Sequence, residues 1–111
     1  MRLLKHFCCL ATALLFPAVL YAGQIYGSVT SGGKGVARAN IEINCGGETT
    51  KGATATDGSY RINVPKQGQC TLTLPDYAGR PSAVIFSNPN PSPYNFELVR
   101  RADGNYELRR R

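Results

Sequence analysis

Few side chains in this sequence carry chemistry, and their spacing limits what they could do. Cys45 and Cys70 form an even pair, Asp57, Asp76 and Asp103 each stand beside turn residues, and five arginines (Arg100, Arg101, Arg109, Arg110, Arg111) crowd the end of the chain. The one histidine, His6, lies in the first ten residues. Beyond it there is neither a Ser-His nor a Cys-His pair for nucleophilic catalysis. A zinc hydrolase would need ligands other than histidine. The expectation is therefore a non-enzyme with no cofactor and no metal. The three aspartates read as turn formers rather than calcium ligands. Lys34, Lys51 and Lys66 lie near turns or strand ends, which favours solvated ammonium groups over a buried lysine–asparagine cross-link.

The opening residues have the layout of a secretory leader. Arg2 and Lys5 supply positive charge, Phe7 to Leu20 is an uncharged run of 14 residues, and Tyr21-Ala22-Gly23 ends it with small residues. Fourteen residues are too few for a membrane span, which needs about 20. Cleavage is placed after Ala22, so residues 1–22 are the leader and 23–111 the mature domain. Cys8, Cys9 and His6 leave with the leader. An exported domain with two remaining cysteines implies a Cys45–Cys70 disulfide. Closing a loop of that length contributes about 3 kcal/mol in the chain-entropy picture. The mature part has 11 Lys/Arg against 7 Asp/Glu, a net charge of +4.

The elements that must hold these groups are short strands. Ile25, Gly27 and Val29 alternate with Tyr26, Ser28 and Thr30; Ala39, Ile41, Ile43 and Cys45 share one face; Cys70, Leu72 and Leu74 share another. Tyr94, Phe96 and Leu98 repeat the pattern. Glycine clusters at 32–35 and 46–47 turn the chain. Around Asp57-Gly58, a two-residue turn pairs Ala55 with Tyr60 and Ala53 with Ile62, making one hairpin of Ala53 to Pro65 without forcing a polar side chain inward. A three-residue turn would set Thr54 and Gly52 opposite those core residues, so the shorter turn is expected. Around Asp103-Gly104 the same test favours a three-residue loop, pairing Leu98 with Leu108, Arg100 with Tyr106 and Glu97 with Arg109. With seven or eight short strands, turn signals every 8 to 12 residues and no helical period, the fold class is all-β: a small antiparallel sandwich, transthyretin- or immunoglobulin-like.

Several of these residues resemble the carboxypeptidase regulatory-like domain, a transthyretin-like (Cna-B-like) seven-stranded sandwich. They are Ile25-x-Gly27-x-Val29, Val36-Ala37-x-Ala39-x-Ile41, Thr56-Asp57-Gly58-Ser59-Tyr60, and Val64-Pro65 followed by Gly68. The likeness covers Gly23 to about Leu74 well and the rest weakly. It implies an accessory or binding module in an exported protein and no peptidase activity.

Two surface features are candidates for a partner. The five arginines could bind an acidic surface, such as lipid headgroups, anionic glycans or a protein; equally, they could guard an exposed strand edge. The proline loop Asn88 to Pro93, with Tyr77 and Tyr94 near it in sequence, could grip a sugar or peptide, although Tyr94 fits the core as well. Nucleic acid is not expected, because no aromatics are interleaved with the arginines. The sequence thus predicts a periplasmic or secreted, non-catalytic module for protein interaction or envelope structure. The alternative is a glycan-binding module using the tyrosines and arginines.

Overall fold

A computed structural model describes residues 23–111, so the predicted leader, with Cys8, Cys9 and His6, lies outside the described residues. Alternation of apolar and polar residues produces, among the described residues, nine strands and no helix. They are β1 (Gly23–Ser31), β2 (Lys34–Gly35), β3 (Asn40–Cys45), β4 (Glu48–Ala53), β5 (Ser59–Val64), β6 (Gly68–Thr73), β7 (Ser82–Ser87), β8 (Pro93–Arg100) and β9 (Tyr106–Arg110). β2 is only two residues long, which leaves eight strands of ordinary length.

The strands form two sheets. One has the order β2-β1-β8-β9, with β5 also paired to β1; the other is β4-β3-β6-β7. β1 and β8 run parallel, and every other pair is antiparallel. The inward face of each strand supplies the core, where Ile25, Val29, Ile41, Ile43, Val64, Leu72, Leu74, Ile85 and Phe96 are fully buried. These are the faces the period-two pattern predicts. Cys45 and Cys70 stand directly opposite each other on β3 and β6, with Cα atoms 4.3 Å apart, and form a disulfide within that core.

The predicted Ala53–Pro65 hairpin does not exist. β4 pairs with β3 in one sheet, while β5 pairs with β1 in the other. The chain around Asp57-Gly58 is a crossover between sheets, and the turn in it closes over three residues. Ala55 N–H donates to the Ser59 carbonyl (2.7 Å) and Gly58 N–H to the Ala55 carbonyl (3.0 Å). Thr54 is tolerated inside because its hydroxyl is fully used: it accepts from Ala39 N–H at 2.8 Å and donates to the Val36 carbonyl at 2.6 Å. A buried hydroxyl with both roles filled carries no desolvation penalty of the kind that makes orphaned polar groups costly. Gly52 also packs on Ile62, since a Cβ there would come within 2.7 Å of that side chain.

The last hairpin has the expected register, with Leu98 opposite Leu108, Arg100 opposite Tyr106 and Glu97 opposite Arg109. The Glu97–Arg109 ion pair is nevertheless not made. Glu97 accepts from the Thr30 hydroxyl and from Gly32 N–H, both at 2.8 Å, which are held in place by β1 and its turn. Arg109 turns instead to Glu107 at 2.7 Å.

Candidate functional site

Gly27, Tyr60 and Tyr94 lie in one row across the inner face of the first sheet, because Gly27 pairs with Tyr60 on β5 and with Tyr94 on β8. With no side chain on Gly27, the Tyr60 phenol reaches over it and donates to the Tyr94 carbonyl at 2.7 Å. An added Cβ at Gly27 would fall 1.8 Å from that carbonyl oxygen. The row depends on glycine here. Burial raises the Tyr60 phenol pKa well above the ordinary tyrosine value, although the nearby Arg110 charge partly opposes this and Tyr94 reinforces it.

The row continues into the second sheet. Tyr94, 7% exposed, accepts from Phe86 N–H at 3.0 Å and donates to the Phe86 carbonyl at 3.4 Å. β7 is the edge of its sheet. Leu74 N–H donates to the Pro81 carbonyl, so by alternation Ser87, Ile85 and Ala83 bond toward β6 while Phe86 and Val84 face the open side. The Tyr94 hydroxyl therefore plugs one position of an open strand edge. The Arg110 guanidinium lies 4.4 Å from the Tyr94 ring centroid and covers it. Tyr94 is a core residue that ties the two sheets together, and Arg110 stacks on it as a cation over a π face.

The other candidate residues are dispersed. Tyr77 packs edge-on against Tyr106, 5.2 Å between centroids. Tyr106 pairs with Arg100 at the far end of β8 from Tyr94, about 20 Å away at ~3.3 Å per residue. The two tyrosines do not share a rim. The arginines also divide between the two ends of the last hairpin. At the turn end, Arg101 bonds Asp103 at 2.8 Å and Arg100 lies 6.0 Å over Tyr106. At the other end, Arg110 covers Tyr94, Arg109 bonds Glu107, and Arg111 donates to the Thr30 hydroxyl at 3.2 Å. The Arg111 amide also holds the Asn95 carbonyl at 2.9 Å, which fixes the end of the chain to β8.

The aspartates at the two Asp-Gly turns do what the sequence expects of turn formers. Asp57 accepts from Ser59 N–H and from the Ser59 hydroxyl, and Asp103 accepts from Asn105 N–H. The Ser59 hydroxyl, then its N–H, hold the Asp57 carboxyl below the usual range. The Arg101 guanidinium, then Asn105 N–H, do the same for Asp103. Asp76 accepts from Asn40 at 2.7 Å. Lys34, Lys51 and Lys66 are all exposed, Lys66 lying 3.8 Å from Glu48. Among the described residues no cluster of three or more His, Cys, Asp or Glu could hold a metal, and no helix is long and apolar enough to cross a membrane.

Two surface features were not read from the sequence. On the outer face of β7, Val84 and Phe86 are 52% and 51% exposed, the large hydrophobic side chains left uncovered among the described residues. Their neighbours on β6 are Thr71 and Gln69. The signal was present in Ala83 to Ser87, where apolar residues fall on both faces of one short strand. An open cleft of about 390 Å³ lies beside β5, lined by Tyr26, Gly27, Ala53–Ala55, Ser59, Tyr60 and Arg61, with the Arg61 guanidinium 5.7 Å from the Tyr26 ring centroid.

What these features define is a small, disulfide-stapled β-sandwich with an open β7 edge plugged at Phe86 and an exposed apolar strip on the outer face of that strand. Comparison with known proteins adds no closer identity: no family model, no curated protein and no solved structure matches the chain.

Proposed function

We propose that the protein is an exported, non-catalytic β-sandwich module that docks a partner protein through the outer face of β7. The carrying observation is the Val84–Phe86 strip, two large apolar side chains exposed side by side on an edge strand of an otherwise well-buried sandwich. Such an exposed pair on a small domain fits an interaction surface. The Tyr94–Arg110 plug supports the same reading, because it holds the Phe86 peptide in place while leaving its side chain outward. Export is supported by the leader-like residues 1–22 and by the disulfide, which belongs to an oxidising compartment. The resemblance to the carboxypeptidase regulatory-like domain is part of this proposal, supported by the two-sheet architecture, antiparallel except for the β1–β8 pair, into which its quoted residues fold.

The test is a paired capture experiment on the exported fraction, with mature wild type and a Val84→Ser/Phe86→Ser variant as baits. Both positions are exposed, so melting should move little, within about 0.5 kcal/mol per site. A partner retained by wild type and lost by the variant is the expected result. Equal recovery by both baits contradicts the reading.

A glycan-binding reading is favoured by one observation, the cleft in which Tyr26 lies beneath Arg61. It moves the candidate contacts from Tyr77 and Tyr94 to Tyr26 and Arg61. A glycan array in which no signal depends on Tyr26 would end it.

A further inference from the structure

Ser87 is 2% exposed, and among the described residues its hydroxyl is the one buried side-chain polar atom without a hydrogen-bond partner. Such an orphan is uncommon and costs free energy unless something satisfies it. The group beside it is Gly23, the first residue of β1. A Cβ on Gly23 would fall 1.9 Å from Ser87 Oγ and 3.1 Å from Asn88 N. Standard bond lengths then keep the Gly23 nitrogen within about 4.4 Å of that oxygen. Gly23 is itself buried, so a donor placed there is shielded from water.

Gly23 as part of a longer chain cannot supply that donor. Val29 N–H donates to the Gly58 carbonyl across the β1–β5 ladder, and alternation makes Val29, Gly27, Ile25 and Gly23 the residues of β1 that bond toward β5. The partner of Gly23 is Val64. A peptide nitrogen has one hydrogen, and the ladder directs it to Val64. Nothing is left for Ser87. A free amino terminus at Gly23 changes the count, because an ammonium has three hydrogens. One keeps the Val64 bond and another is available to Ser87 Oγ.

The geometry points to Gly23 as the mature N-terminus, with its α-ammonium seated on Ser87, so that removal of the leader completes the β1–β7 corner of the sandwich. The step is hydrolysis of the Ala22–Gly23 peptide bond by a leader peptidase. Water adds its hydroxyl to the Ala22 carbonyl, and the released Gly23 nitrogen takes up protons to become the ammonium. The absence of a side chain at residue 23 is then a packing requirement as well as a cleavage preference. This inference rests on the export part of the proposed function and not on the β7 docking face.

Two measurements test it together. The intact mass of the exported protein should correspond to a chain starting at Gly23. Four purified chains then separate the hydrogen bond from general packing: one starting at Gly23 and one retaining Ala22, each with Ser87 or with Ser87→Ala. In the Gly23 chain, Ser87→Ala should lower the folding equilibrium constant by roughly tenfold or more, as for a hydrogen bond to a charged group. In the Ala22 chain it should change it by less than about twofold. An exported chain starting elsewhere overturns the inference while leaving export intact, and a chain that is not exported removes both. Equal effects of Ser87→Ala in the two chains also overturn it.

Discussion

The two Asp-Gly turns, Ala55 to Ser59 and Arg101 to Asn105, are nearly the same object with different outcomes. Each closes with a 2.7 Å hydrogen bond from the N–H of its first residue to the carbonyl of its fifth: Ala55 N–H to Ser59 and Arg101 N–H to Asn105. Each has a 3.0 Å bond from the glycine N–H back to the first carbonyl, and glycine φ values of +90° and +92°. In each, the aspartate accepts from the N–H two residues on at 2.9 Å. Yet the second turn returns β9 to β8, while the first carries the chain from one sheet to the other. Turn chemistry sets the local reversal and leaves open where the chain goes next. For the first turn the destination is decided by distant anchors: Thr54 is tied to Val36 and Ala39 on one side, and Tyr60 is tied to Tyr94 on the other.

The sharpest way to break the likeness is alanine at the two glycines. Both positions have positive φ, so both substitutions are strained. At Gly58 the new Cβ would also meet Val29 O at 2.5 Å and Gly35 Cα at 2.7 Å, whereas at Gly104 nothing lies within 4 Å. Gly58→Ala should therefore cost about 3 kcal/mol or more. Denaturant melts of the two variants check this, and equal losses would mean that the crossover turn is not packed as described. Thr54→Val comes next, at about 2–3 kcal/mol, because it orphans the Ala39 N–H and removes a donor from the Val36 carbonyl. The hairpin turn has no counterpart to lose. Gly104→Ala follows at about 1 kcal/mol from backbone strain alone.

The smallest effect separates the turns by what holds each aspartate. Both carboxyls have folded pKa values below the ordinary range, so each contributes stability that is present above that range and lost as pH falls through the folded value. For Asp57 the first cause is a neutral hydroxyl; for Asp103 it is a guanidinium. Acid titrations of Asp57→Asn and Asp103→Asn should each show a shallower acid limb than wild type. Salt should shrink only the Asp103 contribution, since exposed charges are screened. A salt-sensitive Asp57 contribution would contradict the assignment.

What was legible in the sequence is the inward face of each strand. Alternation in Ile25–Val29, Ala39–Cys45, Cys70–Leu74 and Tyr94–Leu98 is a local property that survives into the fold, and it placed both cysteines on core faces. The last hairpin was legible because its two strands are neighbours in sequence and Leu98 and Leu108 choose the register. The crossover was not, because period two says which face is buried but not which sheet will bury it. Glu97 faces Arg109 in the expected register but does not pair with it, for a related reason. Its donors, Thr30 and Gly32, lie far off in sequence and come beside it only through the parallel β1–β8 pairing. Tyr94 left two readings open, and its phenol shows why: a residue can be core by its ring and still spend its hydroxyl on another sheet's edge. The arginines looked like one patch because they are close in sequence, but the hairpin places them at opposite ends.

The docking role of β7 is the claim on which the functional account turns. Site-specific photocrosslinking in the exported protein tests it most directly, with the photoreactive residue replacing Val84 and, as a control, Lys51, which lies on the opposite edge strand of the same sheet. A discrete adduct from position 84 and none from position 51 is the result expected. No adduct at 84, or the same adducts from both positions, would contradict it.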